Sequence, residues 1–206
     1  YTVQNCNFST PLSTGYGLRS KSNSAAEITL SGNVFSAPNA NVLQLGKGGG
    51  QDSNGSIYVE SGEYYGNIVN AQSASATAEF VFTGGTYSTD VTPECAPGYA
   101  AYANGTVPET WTVGPMPKVA KIGSVEYTSL QAALDSARAN MTGDVTIELL
   151  KNITEYAIVR QKLDLNLTIE GNNDTIFGQI IVDGDSRYNG PDELIFQNIN
   201  FVGETS

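Results

Sequence analysis

The chain has 206 residues, with 21 acidic and 10 basic side chains and a formal net charge of −11. So acidic a chain is poorly suited to nucleic-acid phosphates or anionic lipid, and no apolar run is long enough to insert into a membrane. It has no histidine and only two cysteines, Cys6 and Cys95. This composition excludes Ser-His-Asp and Cys-His catalytic sets, histidine metal sites, and cysteine zinc or iron–sulfur clusters.

A repeated pattern runs through the first half of the chain. Residues 2–8, 28–35, 57–64 and 80–87 each contain an alternating apolar strand, then a small residue, then an aromatic residue. A repeat of roughly 20–30 residues with short strands is typical of a parallel β-solenoid, in which successive coils stack and glycine fits the sharp corners. The alternative is an antiparallel sandwich, in which similar strands recur at roughly 8–12 residues. Cys6 lies in the alternating pattern and is predicted to be a small buried hydrophobe.

One helix is predicted near residues 128–139, after a Pro- and Gly-containing break at 111–117. Thr128 is the candidate N-cap, with Gln131 completing a capping box. Leu130, Ala133, Leu134 and Ala137 form one apolar stripe at helical spacing. An isolated amphipathic helix before a run of strands is predicted to cap the exposed end of a solenoid.

Strands resume after this helix and end on a coil similar to the first. Leucine or isoleucine alternates with polar residues from Leu163 to Ile169, and residues 196–201 match residues 3–8 at four positions. We therefore predict that residues 1–115 are the late coils of one β-helix. Residues 116–206 are predicted to be the cap helix and early coils of a following β-helix, or the two parts pack together as one unit. In a piece cut from a longer protein, exposed coil ends favour head-to-tail self-association.

Several segments resemble a recurrent part of large cell-surface proteins of gut Firmicutes. They are residues 84–91, 95–101, 111–113, 120–123, 127–134, 144–150 and 163–171. The resemblance implies an all-β, right-handed parallel β-helix of the pectin-lyase-like type. It also implies export and display on the bacterial cell surface, often as an adhesin-like stalk.

The implied fold also contains polysaccharide lyases and glycoside hydrolases, so the acidic residues need examination. The densest acidic stretch includes Asp183 and Asp185, which are candidate paired carboxylates, with Arg187 as a candidate lyase residue. Asp183, Asp185 and Asn189 are candidate ligands for Ca²⁺, the one metal cofactor considered. The alternative interpretation, which we favour, is a solvated loop between coils that has no catalytic or cofactor-binding role.

Three functions remain open at the level of sequence. The favoured one is a non-enzymatic, extracellular adhesin-like module that presents a rigid face to a host or environmental glycan or to a surface protein. The second is a carbohydrate-active enzyme or its fragment, and the third is a structural spacer without a ligand. Six tyrosines are candidates for a sugar-stacking surface, although alternation places some of them in the core: Tyr58, Tyr64, Tyr65, Tyr87, Tyr99 and Tyr102.

Overall fold

The computed structural model describes residues 1–21, 25, 27–47, 52–160, 164–183 and 193–203, with only the backbone described at Asp183. The chain divides into two compact units, Tyr1–Met116 (unit 1) and Pro117–Ser206 (unit 2). The described residues are mostly β-strand, each unit is built of parallel-stacked solenoid coils, and the described residues include one short α-helix. The predicted parallel β-solenoid is therefore confirmed, and the antiparallel sandwich is wrong.

Unit 1 contains two ladders of stacked parallel strands. One has the order β1-β4-β6-β8, and the other contains β2, β5, β7 and β9, with β3 paired to the second part of the long strand β5. The strands are β1 (Thr2–Gln4), β2 (Asn7–Ser9), β3 (Tyr16–Ser20), β4 (Ile28–Ser31), β5 (Asn33–Leu45), β6 (Ile57–Val59), β7 (Gly62–Asn70), β8 (Phe80–Phe82), β9 (Thr86–Tyr87), β10 (Tyr99–Ala103) and β11 (Trp111–Pro115).

Equivalent positions of successive coils stack into columns in the core of unit 1. The register of the first ladder superimposes Val3, Leu30, Val59 and Phe82, and that of the second superimposes Phe8, Phe35, Tyr64 and Tyr87. All but the first member of each column are buried. No coil buries its apolar face alone, so each coil is stabilised by the coils stacked on it.

Two antiparallel strands cover the last coil of unit 1. Strand β11 pairs antiparallel with β9, and β10 pairs antiparallel with β11. Sequence analysis interpreted the region around Trp111 only as a break. In the structure, Trp111–Pro115 is a strand that protects the edge of the parallel ladder.

Unit 2 has the same construction with three parallel coils. Strands β14, β16 and β18 form one parallel ladder and β15, β17 and β19 the other, while β12 lies antiparallel between β13 and β14. The elements are β12 (Ala120–Ile122), β13 (Val125–Tyr127), α1 (Leu130–Asn140), β14 (Gly143–Leu149), β15 (Ile153–Arg160), β16 (Leu165–Glu170), β17 (Thr175–Asp183), β18 (Glu193–Gln197) and β19 (Asn200–Val202). The predicted inward positions Leu165, Leu167 and Ile169 are buried, whereas Leu163 lies outside the described residues.

Helix α1 packs on the core of unit 2 through the predicted stripe, since its four buried residues are Leu130, Ala133, Leu134 and Ala137. The predicted N-cap was wrong. Ser129 caps the helix, and its side chain accepts a hydrogen bond from Ala132 N. Gln131 closes no capping box but pairs with the Ile158 backbone, whose N–H donates to Gln131 Oε1 at 2.6 Å.

The turn between β1 and β2 explains why the predicted burial of Cys6 is wrong. Asn5 has a φ of 53°, in the left-handed region that asparagine tolerates. This residue interrupts the strand alternation, so Cys6 is exposed instead of buried, and its thiol donates to the Gln4 carbonyl. Both cysteines are free thiols.

Candidate functional site

A cleft of about 540 Å³ lies at the surface of unit 2, beside strands β15 and β17. These strands are paired in parallel, with Thr154 opposite Phe177 and Tyr156 opposite Gln179. The cleft is lined by Thr154, Glu155, Tyr156, Phe177, Gly178, Gln179 and Gly203.

The alternation of the two strands places the aromatic rings outside. Ile153, Ala157 and Ile176 are buried in the core, whereas the cleft residues Thr154, Tyr156, Phe177 and Gln179 are exposed. Tyr156 is 57% exposed and Phe177 is 40% exposed. These two large aromatic residues are therefore available on neighbouring strands, at diagonal positions of the ladder.

Glu155 is the acidic residue of the cleft, and it is bound to the helix. Its two carboxylate oxygens accept hydrogen bonds from Leu130 N at 2.8 Å and Gln131 N at 2.9 Å. These donors belong to the first turn of α1, where unpaired N–H groups and the helix dipole favour an anion. The carboxylate therefore holds the helix on the solenoid. Because both of its oxygens already accept hydrogen bonds from the helix backbone, Glu155 is poorly placed to act as a catalytic acid or base.

Gly178 sets the close approach of β17 to β15 beneath the cleft. It has a φ of +125°, and a Cβ built there would lie 2.4 Å from the Glu155 carbonyl oxygen. Any side chain at this position would strain the backbone and push the two strands apart. The glycine therefore maintains the spacing at which Phe177 and Gln179 stand beside Tyr156.

The arrangement combines aromatic rings with an amide and a hydroxyl group, namely those of Gln179 and Thr154. Such a surface can stack on the apolar face of a sugar ring while its polar groups bond the sugar hydroxyls. Glu155 and Tyr156 are the titratable side chains in its lining. The site is therefore suited to binding an uncharged polar ligand.

A second cleft, of about 480 Å³, lies in unit 1 and is rich in asparagine. Its lining includes Tyr16, Asn39, Asn41 and Asn67. The Arg19 guanidinium carbon lies 4.3 Å from the centre of the Tyr16 ring. Because a cation already covers one face of this ring, the cleft in unit 2 is the better candidate for stacking on a ligand.

Of the residues singled out in the acidic stretch, the structure describes only the backbone of Asp183. Asp183 ends strand β17, where it is paired with Arg160 in the ladder. Asp185, Arg187 and Asn189 lie outside the described residues. The catalytic and calcium roles of these four residues therefore stay predictions.

The six tyrosines predicted as a sugar-stacking surface have varied locations. Tyr64 and Tyr87 are core residues, and burial raises the pKa of Tyr64 to about 12. Tyr102 is 44% exposed, with its hydroxyl donating to the Pro115 carbonyl oxygen. Sequence analysis missed Tyr156 and Phe177, although the alternation of β15 between Ile153 and Ala157 predicts an outward residue 156.

The structure defines the class of protein to which the chain belongs. By fold, this chain is a parallel β-solenoid protein. Within the described ranges, no group of three or more metal-ligating side chains occurs, and the described part of the chain contains no helix long and apolar enough to cross a membrane. No protein-family model, curated protein or solved structure matches the chain.

Proposed function

We propose that this chain is a non-enzymatic module of an adhesin-like protein on the bacterial cell surface. Its solenoid would present the outer face of strands β15 and β17 to a glycan of the host or the environment. The cell-surface location is inferred from the sequence segments that resemble Firmicutes surface proteins. The glycan-binding role rests on the cleft.

The observation that carries the proposal is the pair of exposed rings in the cleft, Tyr156 and Phe177. Each ring is directly opposite a polar side chain, Gln179 or Thr154. Aromatic and hydrogen-bonding groups thus alternate across two strands of a rigid ladder. A glycan chain offers the complementary alternation of C–H faces and hydroxyl groups.

The charge of the chain favours a neutral glycan. The net charge of −11 and the Glu155 carboxylate beside the cleft oppose binding of a polyuronate or a sulfated polymer. Since both oxygens of Glu155 already accept hydrogen bonds from the helix, the cleft offers binding groups without a free acid–base pair. This supports binding without turnover.

The proposal is tested on an array of neutral and acidic glycans, followed by calorimetry on the best ligand. We expect Tyr156→Ala and Phe177→Ala each to weaken binding roughly tenfold, the loss typical of removing an aromatic anchor. Tyr156→Phe should keep most of the affinity, because it retains the ring. Tyr102→Ala is the matched control, since it removes an exposed tyrosine outside the cleft.

The other two functions are outcomes of the same experiment. Release of new reducing ends or of unsaturated uronate from a bound glycan, abolished by Asp183→Asn, would establish the carbohydrate-active enzyme instead. A blank array would favour the spacer. The proposed location is tested separately by labelling intact bacterial cells with an antibody against the chain, and labelling only after lysis would contradict it.

A further inference from the structure

A further recess, of about 400 Å³, lies in unit 2 where the start of helix α1 meets the start of strand β15. We name it the helix-side recess. Its lining includes Thr128, Lys151 and Asn152, and it shares Thr154 and Glu155 with the cleft beside β17. The recess and the cleft are therefore adjacent, and a ligand longer than one sugar ring can reach both.

Contacts between α1 and β15 hold the recess in shape. Glu155 accepts hydrogen bonds from the first turn of the helix. The side-chain amide of Gln131 pairs with both backbone groups of Ile158: its Oε1 accepts from Ile158 N at 2.6 Å, and its Nε2 donates to the Ile158 carbonyl at 3.2 Å. Gln131 thus takes the place of a peptide group from a neighbouring strand. A recess that is held in this way loses little conformational freedom when a ligand binds.

Two side chains of the recess offer hydrogen-bond donors to a ligand. Asn152 Oδ1 accepts a hydrogen bond from Thr175 N at 2.7 Å, which leaves the side-chain NH₂ group as the part available to a ligand. Lys151 is exposed, and its ammonium group can only donate. The one salt bridge among the described residues joins Lys121 to Glu148, so Lys151 is not held by a described acid. The recess is therefore suited to an acceptor such as a carbonyl oxygen.

Two aliphatic side chains add an apolar part to the lining, those of Val119 and Ile153. Both backbone groups of Val119 are already paired, since its N–H donates to the Tyr127 carbonyl at 2.8 Å and its carbonyl accepts from Leu150 N at 2.9 Å. Val119 therefore presents only its side chain to a ligand. Donors beside an aliphatic surface are complementary to a group that carries a carbonyl oxygen and a methyl, and the acetamido group of an N-acetylated sugar has both.

A carboxylate would match this lining less well than an acetamido group. It could pair with Lys151, but it has no methyl group to contact Val119. The net charge of −11 also opposes the approach of an anion. The lining and the charge together favour an uncharged acetylated sugar.

We propose that the site in unit 2 binds a neutral oligosaccharide that contains an N-acetylated sugar. One sugar ring stacks on Tyr156 and Phe177 in the cleft. The acetamido group of a neighbouring sugar enters the helix-side recess, where its carbonyl oxygen accepts hydrogen bonds from Lys151 and Asn152 and its methyl group contacts Val119. This inference rests on the proposed function, because it names the class of ligand for the same site.

The distance along β15 requires two different sugars. Asn152 and Tyr156 are four residues apart in sequence, which corresponds to about 13 Å in an extended chain. That distance is longer than one sugar ring. The acetamido group in the recess therefore belongs to a different sugar from the ring on Tyr156, and single sugars should bind more weakly than oligosaccharides.

The test uses an array of oligosaccharides in matched pairs that differ only in acetamido groups in place of hydroxyl groups. The trimers of N-acetylglucosamine and of glucose with the same linkage are one such pair, and oligomers that contain uronate are included. Calorimetry then measures the affinity of the wild-type chain and its variants for both members of the best pair.

We expect Lys151→Ala to weaken binding of the N-acetylated member about tenfold and to change binding of its hydroxyl partner by less than about twofold. Lys151→Arg should keep the preference, because it retains a charged donor. Tyr156→Ala should weaken both members, since both stack on the same ring. Arg138→Ala is the matched control: it removes a positive charge from an exposed position of the same unit, outside the recess and the cleft.

The outcomes separate this inference from the proposed function. Equal affinity for the two members of every pair, with both weakened by Tyr156→Ala, would overturn the acetamido site and leave glycan binding in place. Tighter binding of a uronate oligomer, lost in Lys151→Ala, would show that the recess takes a carboxylate instead. A blank array would contradict the proposed function and this inference with it.

Discussion

The cores of the two units are both built of stacked columns of side chains, but the side chains that fill the columns differ. In unit 1 one of the two stacked columns is aromatic, with ring centroids 5.7 Å apart between Phe35 and Tyr64 and 5.4 Å apart between Tyr64 and Tyr87. In unit 2 the columns of both ladders are mainly aliphatic, as in the stack of Val145, Leu167 and Leu194 and in the stack of Ile153, Ile176 and Phe201. The parallel ladder thus requires filled columns in register, but it does not require a particular residue type.

The buried tyrosines add a polar requirement that the aliphatic columns lack. The Tyr87 hydroxyl donates to the Gly84 carbonyl at 2.8 Å, and the Tyr64 hydroxyl donates to the Ser61 carbonyl at 3.1 Å. Burial raises the pKa of both groups, so both stay protonated and able to donate. The two tyrosine rings of the aromatic column are therefore hydrogen-bonded to the turns that precede their own strands. These bonds fix the orientation of the rings, in addition to the volume that the rings fill.

The largest expected effect on stability is in an aliphatic column of unit 2. Leu167→Asp would place a charge at a buried position between Val145 and Leu194, and we expect a loss of about 5 kcal/mol in the free energy of unfolding of unit 2. Chemical denaturation followed by circular dichroism measures this loss. Leu150→Asp, at a position 39% exposed, should cost far less. Equal stabilities for the two variants would show that the assigned register is wrong.

An intermediate effect is expected in the aromatic column. Tyr87→Phe keeps the ring but leaves the Gly84 carbonyl without its donor, which should destabilise unit 1 by about 1 kcal/mol. Tyr102→Phe removes an exposed hydroxyl of the same unit and should change stability by less than about 0.5 kcal/mol. Thermal melting of both variants provides the measurement. If Tyr87→Phe is neutral, the column depends on ring volume alone and the contrast between the units disappears.

The smallest effect concerns the polar face of unit 2. Glu170 accepts hydrogen bonds from Asn172 N, from the Asn198 amide at 3.0 Å and from the Gln197 amide at 2.6 Å. The bond from the Asn172 backbone, followed by that from Asn198, lowers the pKa of Glu170 below its ordinary value of 4.5.

The stabilisation from this ionised carboxylate is complete above pH 4.5 and disappears as the pH falls through the lowered folded-state pKa. Glu170→Gln should therefore show a shallower fall of melting temperature in acid than the wild-type chain. Parallel curves for the two proteins would show that the ladder of amides on Glu170 does not depend on its charge. Asp135→Asn provides the comparison with an exposed carboxylate on the helix.

Sequence patterns predicted the strands best where apolar residues alternate without interruption. Leu165, Leu167 and Ile169 are inward as expected, and so are all four residues of the helical stripe. The N-cap was assigned one residue early because Thr128 and Ser129 are chemically equivalent at that position. Only the path of the chain into the helix decides which hydroxyl reaches the first turn.

The candidate site could be predicted only in part. Outward positions in β15 follow from alternation, but the pairing of Tyr156 with Gln179 depends on the register of a strand that begins only at Thr175. The acidic stretch was predicted as a candidate site because its residues are close in sequence. A binding surface on a solenoid is instead assembled from equivalent positions of successive coils, which are far apart in sequence.

The sequence alone determined the parallel solenoid, because its apolar residues repeat at the length of one coil and every coil needs a neighbour to bury them. It also determined the face of α1 that meets the core. The tertiary structure decided which strands became antiparallel covers, which turn residue exposed Cys6, and which rings stand together in the cleft. These features depend on register and chain path, and contacts between distant residues set both.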